Sequence, residues 1–415
     1  MLKTNFENYP KGNRFIFLLK DFLGRGIFNS DNELWRIQRK VASFEFSTRS
    51  LRNFVIENVR LELQTRLIPL LSNASKTKKT INIQDVLERF AFDNVCKVAF
   101  NEDPACLEGD GTSGSEFMSA FEDAATLSAG RFMYIFPHVW IFKRFFNIGS
   151  EKRLRESIKI VHEFAENIIK TRLQDKGIKQ EADLLSRFIA ANDENAPNSL
   201  EFLRDIVISF ILAGRDTTST ALTWFFWLLS SRPHIERNIL QELKTIRNDS
   251  GKCIGETYEL DEFRQMNYLH AAISEAMRLY PPVAVDTKAC LADDMLPDGT
   301  FIGKGWFATY QAYAMGRMEN IWGKDCNEFV PERWLENGIF QPENPFRFPI
   351  FHGGARMCLG KEMAYIQMKS IAASVIENFE INAVDKDTCP QHVLSLTLRM
   401  KDGLMVRVKE RSMDV

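Results

Sequence analysis

Between Ser199 and Ser230 the chain stays largely apolar for about 32 residues, and within residues 206–229 the only charges are Arg215 and Asp216. Pro197-Asn198-Ser199 supplies a start signal and Arg232-Pro233 a stop. At 1.5 Å per residue this spacing predicts a helix of roughly 48 Å. A helix apolar nearly all round must be enclosed by lipid or by protein. The two central charges leave no run of about 18 apolar residues, so the segment reads as a helix through the middle of a globular fold. The rest of the chain has to wrap it.

The wrapping is also helical. Apolar periodicity predicts helices over 31–41 (capped by Asp31 or Asn32), 54–71, 85–99, 115–128, 150–174, 233–246 and 268–280. The 150–174 helix would expose Glu151, Lys152, Arg155 and Lys159 and end near Gly177. Strand signals are fewer: 283–289, 301–302, 306–310, and a hairpin of 394–400 with 404–408 turned at Asp402-Gly403. Residues 75–79 and 193–197 read as polar loops. The expectation is a mainly α fold with small β-sheets, in one domain over 1–415.

A net charge of -2 argues against nucleic acid as a partner. The seven cysteines are scattered, with no C-x-x-C pair, which argues against a disulfide framework or zinc ribbon and for a reducing compartment. Met1-Leu2-Lys3-Thr4-Asn5-Phe6 is not followed by the apolar region of a signal peptide.

One cysteine stands apart. Phe351-His352-Gly353-Gly354-Ala355-Arg356-Met357-Cys358-Leu359-Gly360 puts Cys358 at the start of a helix predicted over 359–378. Helix N-termini carry spare N–H donors and partial positive charge, which lower a thiol pKa. Gly354 and Gly360 would let the backbone bend around the sulfur and a flat ligand approach, and Arg356 could meet an anionic group of that ligand. Taken alone, Cys358 could equally be a buried structural thiol. The pattern F-x-x-G-x-R-x-C-x-G, however, resembles the haem-ligand loop of the cytochrome P-450 family.

Four further segments resemble that family's motifs, in its order. Ala213-Gly214-Arg215-Asp216-Thr217-Thr218 resembles the oxygen-activation motif, in which Gly and Thr open a local bulge and Asp216 and Thr217 deliver protons; by the residues alone, Thr217 could simply bond back to a carbonyl one turn earlier. Glu275-Ala276-Met277-Arg278 is an E-x-x-R on one helix face, and Pro331-Glu332-Arg333-Trp334 resembles the loop whose arginine completes a Glu275–Arg278–Arg333 network that supports the haem loop. Trp35 and Arg39, four apart, resemble the pair that meets the haem propionates; the alternatives are a core Trp and a solvated Arg.

The resemblance covers about 1–408. It implies a cytochrome P-450 fold lacking the N-terminal anchor, hinge, first helix and first strands that other members have. It implies haem b held by Cys358, with Trp35, Arg39, Arg356 and Gly360 around it, and electrons from NADPH through a reductase docked on the haem-loop side. It implies O2 as co-substrate and residence at the cytosolic face of the endoplasmic reticulum membrane. Phe92-Asp93-Asn94-Val95-Cys96, Asp286-Thr287-Lys288 and Tyr313-Ala314-Met315-Gly316-Arg317 resemble the plant fatty-acid ω-hydroxylase branch, which also includes jasmonoyl–isoleucine hydroxylases. Two residues depart from the branch: Ala355, where Pro is expected, and Asn101, where Gly is. By resemblance, the apolar substrate would meet Ala213, Val283, Ala284, Val285, Leu396 and Thr397. Residues 132–146, apolar and aromatic with Lys143 and Arg144, are either core or the segment that dips into the membrane surface. Competing readings are a peroxide-rearranging haem-thiolate isomerase, against which Asp216-Thr217 speaks, and a non-catalytic haem protein.

Overall fold

A computed structural model describes residues 1–46, 49–108, 114–174, 183–190, 199–393 and 395–411. The loop expected at 193–197, the helix end near Gly177 and residue Leu394 lie outside them. The helices are α1 (Gly12–Leu23), α2 (Asn32–Phe46), α3 (Arg49–Glu62), α4 (Ile68–Thr77), α5 (Ile83–Phe100), α6 (Ser115–Gly130), α7 (His138–Phe146), α8 (Gly149–Gln174) and α9 (Leu184–Ala190). They continue as α10 (Leu200–Ser230), α11 (Pro233–Ser250), α12 (Leu260–Gln265), α13 (Asn267–Leu279), α14 (Ala312–Met315), α15 (Glu319–Trp322) and α16 (Lys361–Asn378).

The long apolar segment forms α10, capped by Ser199, whose hydroxyl accepts the Phe202 N–H at 3.2 Å. Its two ends serve different cores. Residues Phe202 to Leu212 pack with α5, α6, α8 and α9, while Ala221 to Leu229 pack with α11, α13, α16 and the main sheet. The stretch between, Ala213 to Thr220, belongs to neither core and carries the polar motif.

Among the described residues four small antiparallel sheets complete the fold. In the largest, β9 (Met405–Glu410) lies between β1 (Ile81–Asn82) and β8 (Phe379–Ala383), with Val406 opposite both Ile81 and Ala383. The others pair β2 (Asp286–Ala289) with β5 (Phe307–Tyr310), β3 (Asp294–Met295) with β4 (Phe301–Ile302), and β6 (Leu335–Glu336) with β7 (Ile339–Phe340).

Several expectations need correction. The hairpin of 394–400 with 404–408 does not form: β9 pairs with β8 and β1, and Met400 bridges His392 instead. Both edges of β9 are paired, one with β8 and the other with β1, which local sequence does not reveal. The helix expected over 54–71 is split by a π turn, Leu63–Leu67, before α4. Pro69 has no N–H to donate to the previous turn, so the register slips there. Glu151 is not on the exposed face of α8; it is buried against Arg131, with hydrogen bonds of 3.1 and 2.6 Å. The strand expected from residue 283 begins only at Asp286.

Asp31 precedes α2, its backbone O accepts the Trp35 N–H at 3.4 Å, and its carboxylate accepts the backbone N–H groups of Lys11 and Gly12, both at 2.9 Å, at the start of α1. Asn101, where Gly was expected, ends α5 in the left-handed region at φ 54°, a conformation that Asn tolerates best after Gly.

Candidate active site

The loop before α16 brings the expected ligand residues together. Residues Pro349–Phe351 and Gly354–Arg356 form two short 3-10 turns, and the Cys358 N–H donates to Phe351 O at 2.8 Å. Gly354 has φ +67°, and a Cβ there would lie 1.7 Å from Leu2 O, so this position requires glycine. Gly360 does not bend the chain unusually. A Cβ there would stand 3.4 Å from Phe46 and 3.9 Å from the Cys358 sulfur, so its smallness leaves room beside the sulfur.

α16 begins at Lys361, two residues later than expected. The Cys358 thiol is accessible, yet protein surrounds it closely enough that burial pushes its pKa up. The Gly360 N–H bonded to the sulfur and the charges of Arg39 and Lys361 pull it down, and burial wins. The helix start alone therefore does not produce a thiolate here, contrary to the expectation from the sequence. A cation at the sulfur would be needed to tip the balance.

Arg39 on α2 donates to Met357 O, next to Cys358. Arg356 donates to Ser30 O at 3.0 Å and to Asp31 at 2.7 Å, and its guanidinium lies 4.4 Å from the centre of the buried Trp35 ring. Its Nε is buried with no partner. Burial lowers the pKa of both arginines.

Beside them lies a group that the sequence did not mark as a site. Asp286 accepts from Lys11 at 2.6 Å, from Lys288 at 2.7 Å and from the Tyr310 hydroxyl at 3.1 Å. The Tyr310 hydroxyl also meets His352 Nδ1 at 2.6 Å. Burial opposes ionisation of Asp286, but Lys11 and Lys288 hold its carboxyl well below the usual range. Burial and the neighbouring Lys11 push Lys288 down to about 7, and burial brings His352 to about 4. The available signals were the i, i+2 spacing of Asp286 and Lys288 on one strand face and the position of His352 within the ligand loop.

The donor set suits an iron porphyrin: one exposed cysteine with the backbone of Gly360 beside its sulfur, and basic side chains near it, one with an unused buried donor, for two carboxylates. Among the described residues no three His, Cys, Asp or Glu side chains cluster as a metal site of their own.

On α10 the helix runs unbroken through 213–218, without the expected bulge. The Thr217 hydroxyl donates to Ala213 O at 2.6 Å. Ala213 and Thr217, one turn apart, are partly exposed while most of the helix is buried. Gly214 serves packing, since a Cβ there would stand 2.4 Å from Val95 on α5. Asp216 is buried and takes a 2.5 Å hydrogen bond from Arg215. Burial raises its pKa against the pull of Arg215. Of the substrate residues, Leu396 and Val283 are half-buried, Thr397 buried and Val285 exposed.

Glu275 and Arg278 are fully buried and joined by two 2.7 Å hydrogen bonds. Arg333 Nε and Trp334 Nε1 also donate to Glu275, at 3.3 and 2.9 Å. Arg278 binds three carbonyls, of Gly316, Cys326 and Glu328, and so clamps the 316–334 segment.

A family model for Cytochrome P450 matches residues 1–406. Cytochrome P450 CYP94D108 of Paris polyphylla is 56% identical over 414 residues, which are 99% of this chain and 82% of that protein. Cytochrome P450 94C1 of Arabidopsis thaliana is 48% identical over 416 residues, 99% and 83% of the two chains. Cytochrome P450 94A1 of Vicia sativa is 45% identical over 421 residues, 99% and 79%.

Proposed function

The chain belongs to the cytochrome P450 family, and from that premise we propose that residues 1–415 form one haem-binding domain that hydroxylates the terminal carbon of a fatty acid. As a family member it is a monooxygenase that uses haem b and electrons from NAD(P)H through a reductase. When bound, the haem supplies the redox chemistry that places one oxygen atom of O2 into a C–H bond.

The chain's own residues do the rest. Cys358 would ligate the iron, with the Gly360 N–H helping to hold negative charge on sulfur. Arg39, Arg356, Lys288 and His352 would receive the propionates, with Trp35 backing Arg356. Asp216, its pKa raised by burial, would serve as the proton donor and Thr217, one residue on, as the relay. Ala213, Val283, Val285, Leu396 and Thr397 would line an apolar approach that excludes water and presents one end of a chain-like substrate. Family members in plants typically sit at the endoplasmic reticulum membrane. Among the described residues no helix is long and apolar enough to cross a membrane. The surface around α7 is where the protein would meet one: Ile135 and Phe145 are 88% and 81% exposed, beside Phe136, Phe142 and Phe146.

The observation that carries this reading is an exposed Cys358 at the foot of α16, beside the small Gly360 and the basic side chains of Arg39 and Lys361. The test is product position from fatty acids of graded length with the reconstituted enzyme. A terminal alcohol is expected, and hydroxyls scattered along the chain would remove the ω assignment. Preferred turnover of jasmonoyl–isoleucine would move the substrate to the hormone conjugate. Rearrangement of a fatty hydroperoxide without NADPH would make the protein an isomerase.

A further inference from the structure

A chain of charges leads from the buried Asp216 toward the surface. Arg215 is 2% exposed; its Nη1 donates to Asp216 and its Nη2 to Glu88 of α5 at 3.3 Å. Glu88 also accepts twice from Arg399, Nε to Oε1 at 2.6 Å and Nη2 to Oε2 at 3.2 Å. The other arm of Arg399 reaches Glu122 of α6. Phe121 covers Arg215, its ring centre 5.3 Å from the guanidinium. Asp123, next along α6, is held by Arg153 at 2.5 and 2.6 Å and stands outside the chain.

Three carboxylates thus meet two guanidiniums, but only Asp216 and Glu88 are buried, while the Glu122 side chain is 37% exposed at the open end. Guanidinium does not give up its proton, and Arg215 is divided between Asp216 and Glu88, so neither carboxylate has it alone. This division favours a proton on the enclosed aspartate. Burial raises the pKa of both Asp216 and Glu122, and the Glu88 charge pushes each the same way. Arg399 also stands two residues beyond Thr397, in a segment pinned by Leu398 N to Pro282 O at 2.9 Å and Trp224 Nε1 to Leu398 O at 2.7 Å.

We propose that Glu88 is a positioning residue for Asp216: it holds one edge of Arg215 so that the aspartate is not fully paired, and through Arg399 it ties the aspartate to the substrate-side segment. The proposal rests on reading Asp216 as the proton donor. Without the Glu88 charge, Arg215 would close onto Asp216 alone and the aspartate would ionise, losing the proton it has to give.

The test uses the haem-loaded enzyme with reductase and dodecanoic acid, comparing Glu88→Gln, Glu88→Asp and Asp216→Asn. Glu88→Gln should send electrons from NADPH into peroxide and lower product per NADPH by roughly tenfold, the change in acid fraction for one pKa unit, with KM nearly unchanged. Glu88→Asp, which keeps the charge, should recover most of the coupling. Independently of turnover, the infrared carbonyl stretch of a buried protonated carboxyl should be present in the wild type and absent in Glu88→Gln. Should Glu88→Gln fail to keep haem, Glu122→Gln frees Arg399 to close on Glu88 and weaken its hold on Arg215, and should show a smaller loss of coupling and band in the same direction. Wild-type coupling in the Glu variants beside an uncoupled Asp216→Asn would overturn the role of Glu88 alone. Normal coupling in Asp216→Asn would overturn the proton-donor reading, and this proposal with it.

Discussion

Burial and hydrogen bonding pull the Cys358 thiol in opposite directions, and the same contest recurs at other single residues. Glu275 and Arg278 are tolerable in a dry interior because each offsets the other and their remaining atoms are bonded. Arg278→Ala would leave an unpaired buried carboxylate and should cost about 3–5 kcal/mol, measurable by denaturant unfolding. His270 is stacked between Phe340 and Tyr365, ring centres 3.9 and 4.0 Å away, and burial with Lys369 and Lys361 lowers its pKa to about 2. Since the folded value lies below the unfolded one, this group's stability is complete above about pH 6.5 and is lost as pH falls. His270→Phe should flatten the loss of stability between about pH 6.5 and 4, by up to ~1.4 kcal/mol per pH unit; an unchanged acid limb in thermal melts would refute this. Cys358, Arg356 and the Glu275–Arg278 pair were legible because their chemistry is encoded in spacing along one segment. Lys288, His352, Glu88 and Arg399 were not, because their partners arrive from distant segments.

At the scale of elements, the close approach of α10 to α5 depends on Gly214 facing Val95. Gly214→Ala should destabilise the fold by ~1–3 kcal/mol through overpacking. Val95→Ala should restore part of that loss in the double variant, and no rescue would mean that the glycine serves something other than this contact. The exposed aromatics of α7 make a second prediction. Replacing Phe142, Phe145 and Phe146 by Ser should weaken binding of the folded protein to liposomes; unchanged binding would remove the membrane role. Most of the long helices were legible to within a few residues because a strong 3.6-residue period marks them, α10 above all, whereas α1 and the shorter α7, α9 and α12 were not marked. The hairpin at 394–408 was misread because alternation gives a strand but not its partner, and the π turn before α4 hid in an unbroken apolar pattern.

Across the whole molecule, α10 joins two cores and leaves its polar motif in the seam between them. The ligand loop is pinned from the other side by α2 through Arg39 and by Asp31 through Arg356. This frame is expected to hold a haem on Cys358. The most direct measurement is the absorption spectrum of the reduced protein under carbon monoxide, wild type against Cys358→Ala. A far red-shifted Soret band in the wild type alone is the predicted result. A folded wild-type protein without that band, or a variant that keeps it, would contradict ligation by Cys358.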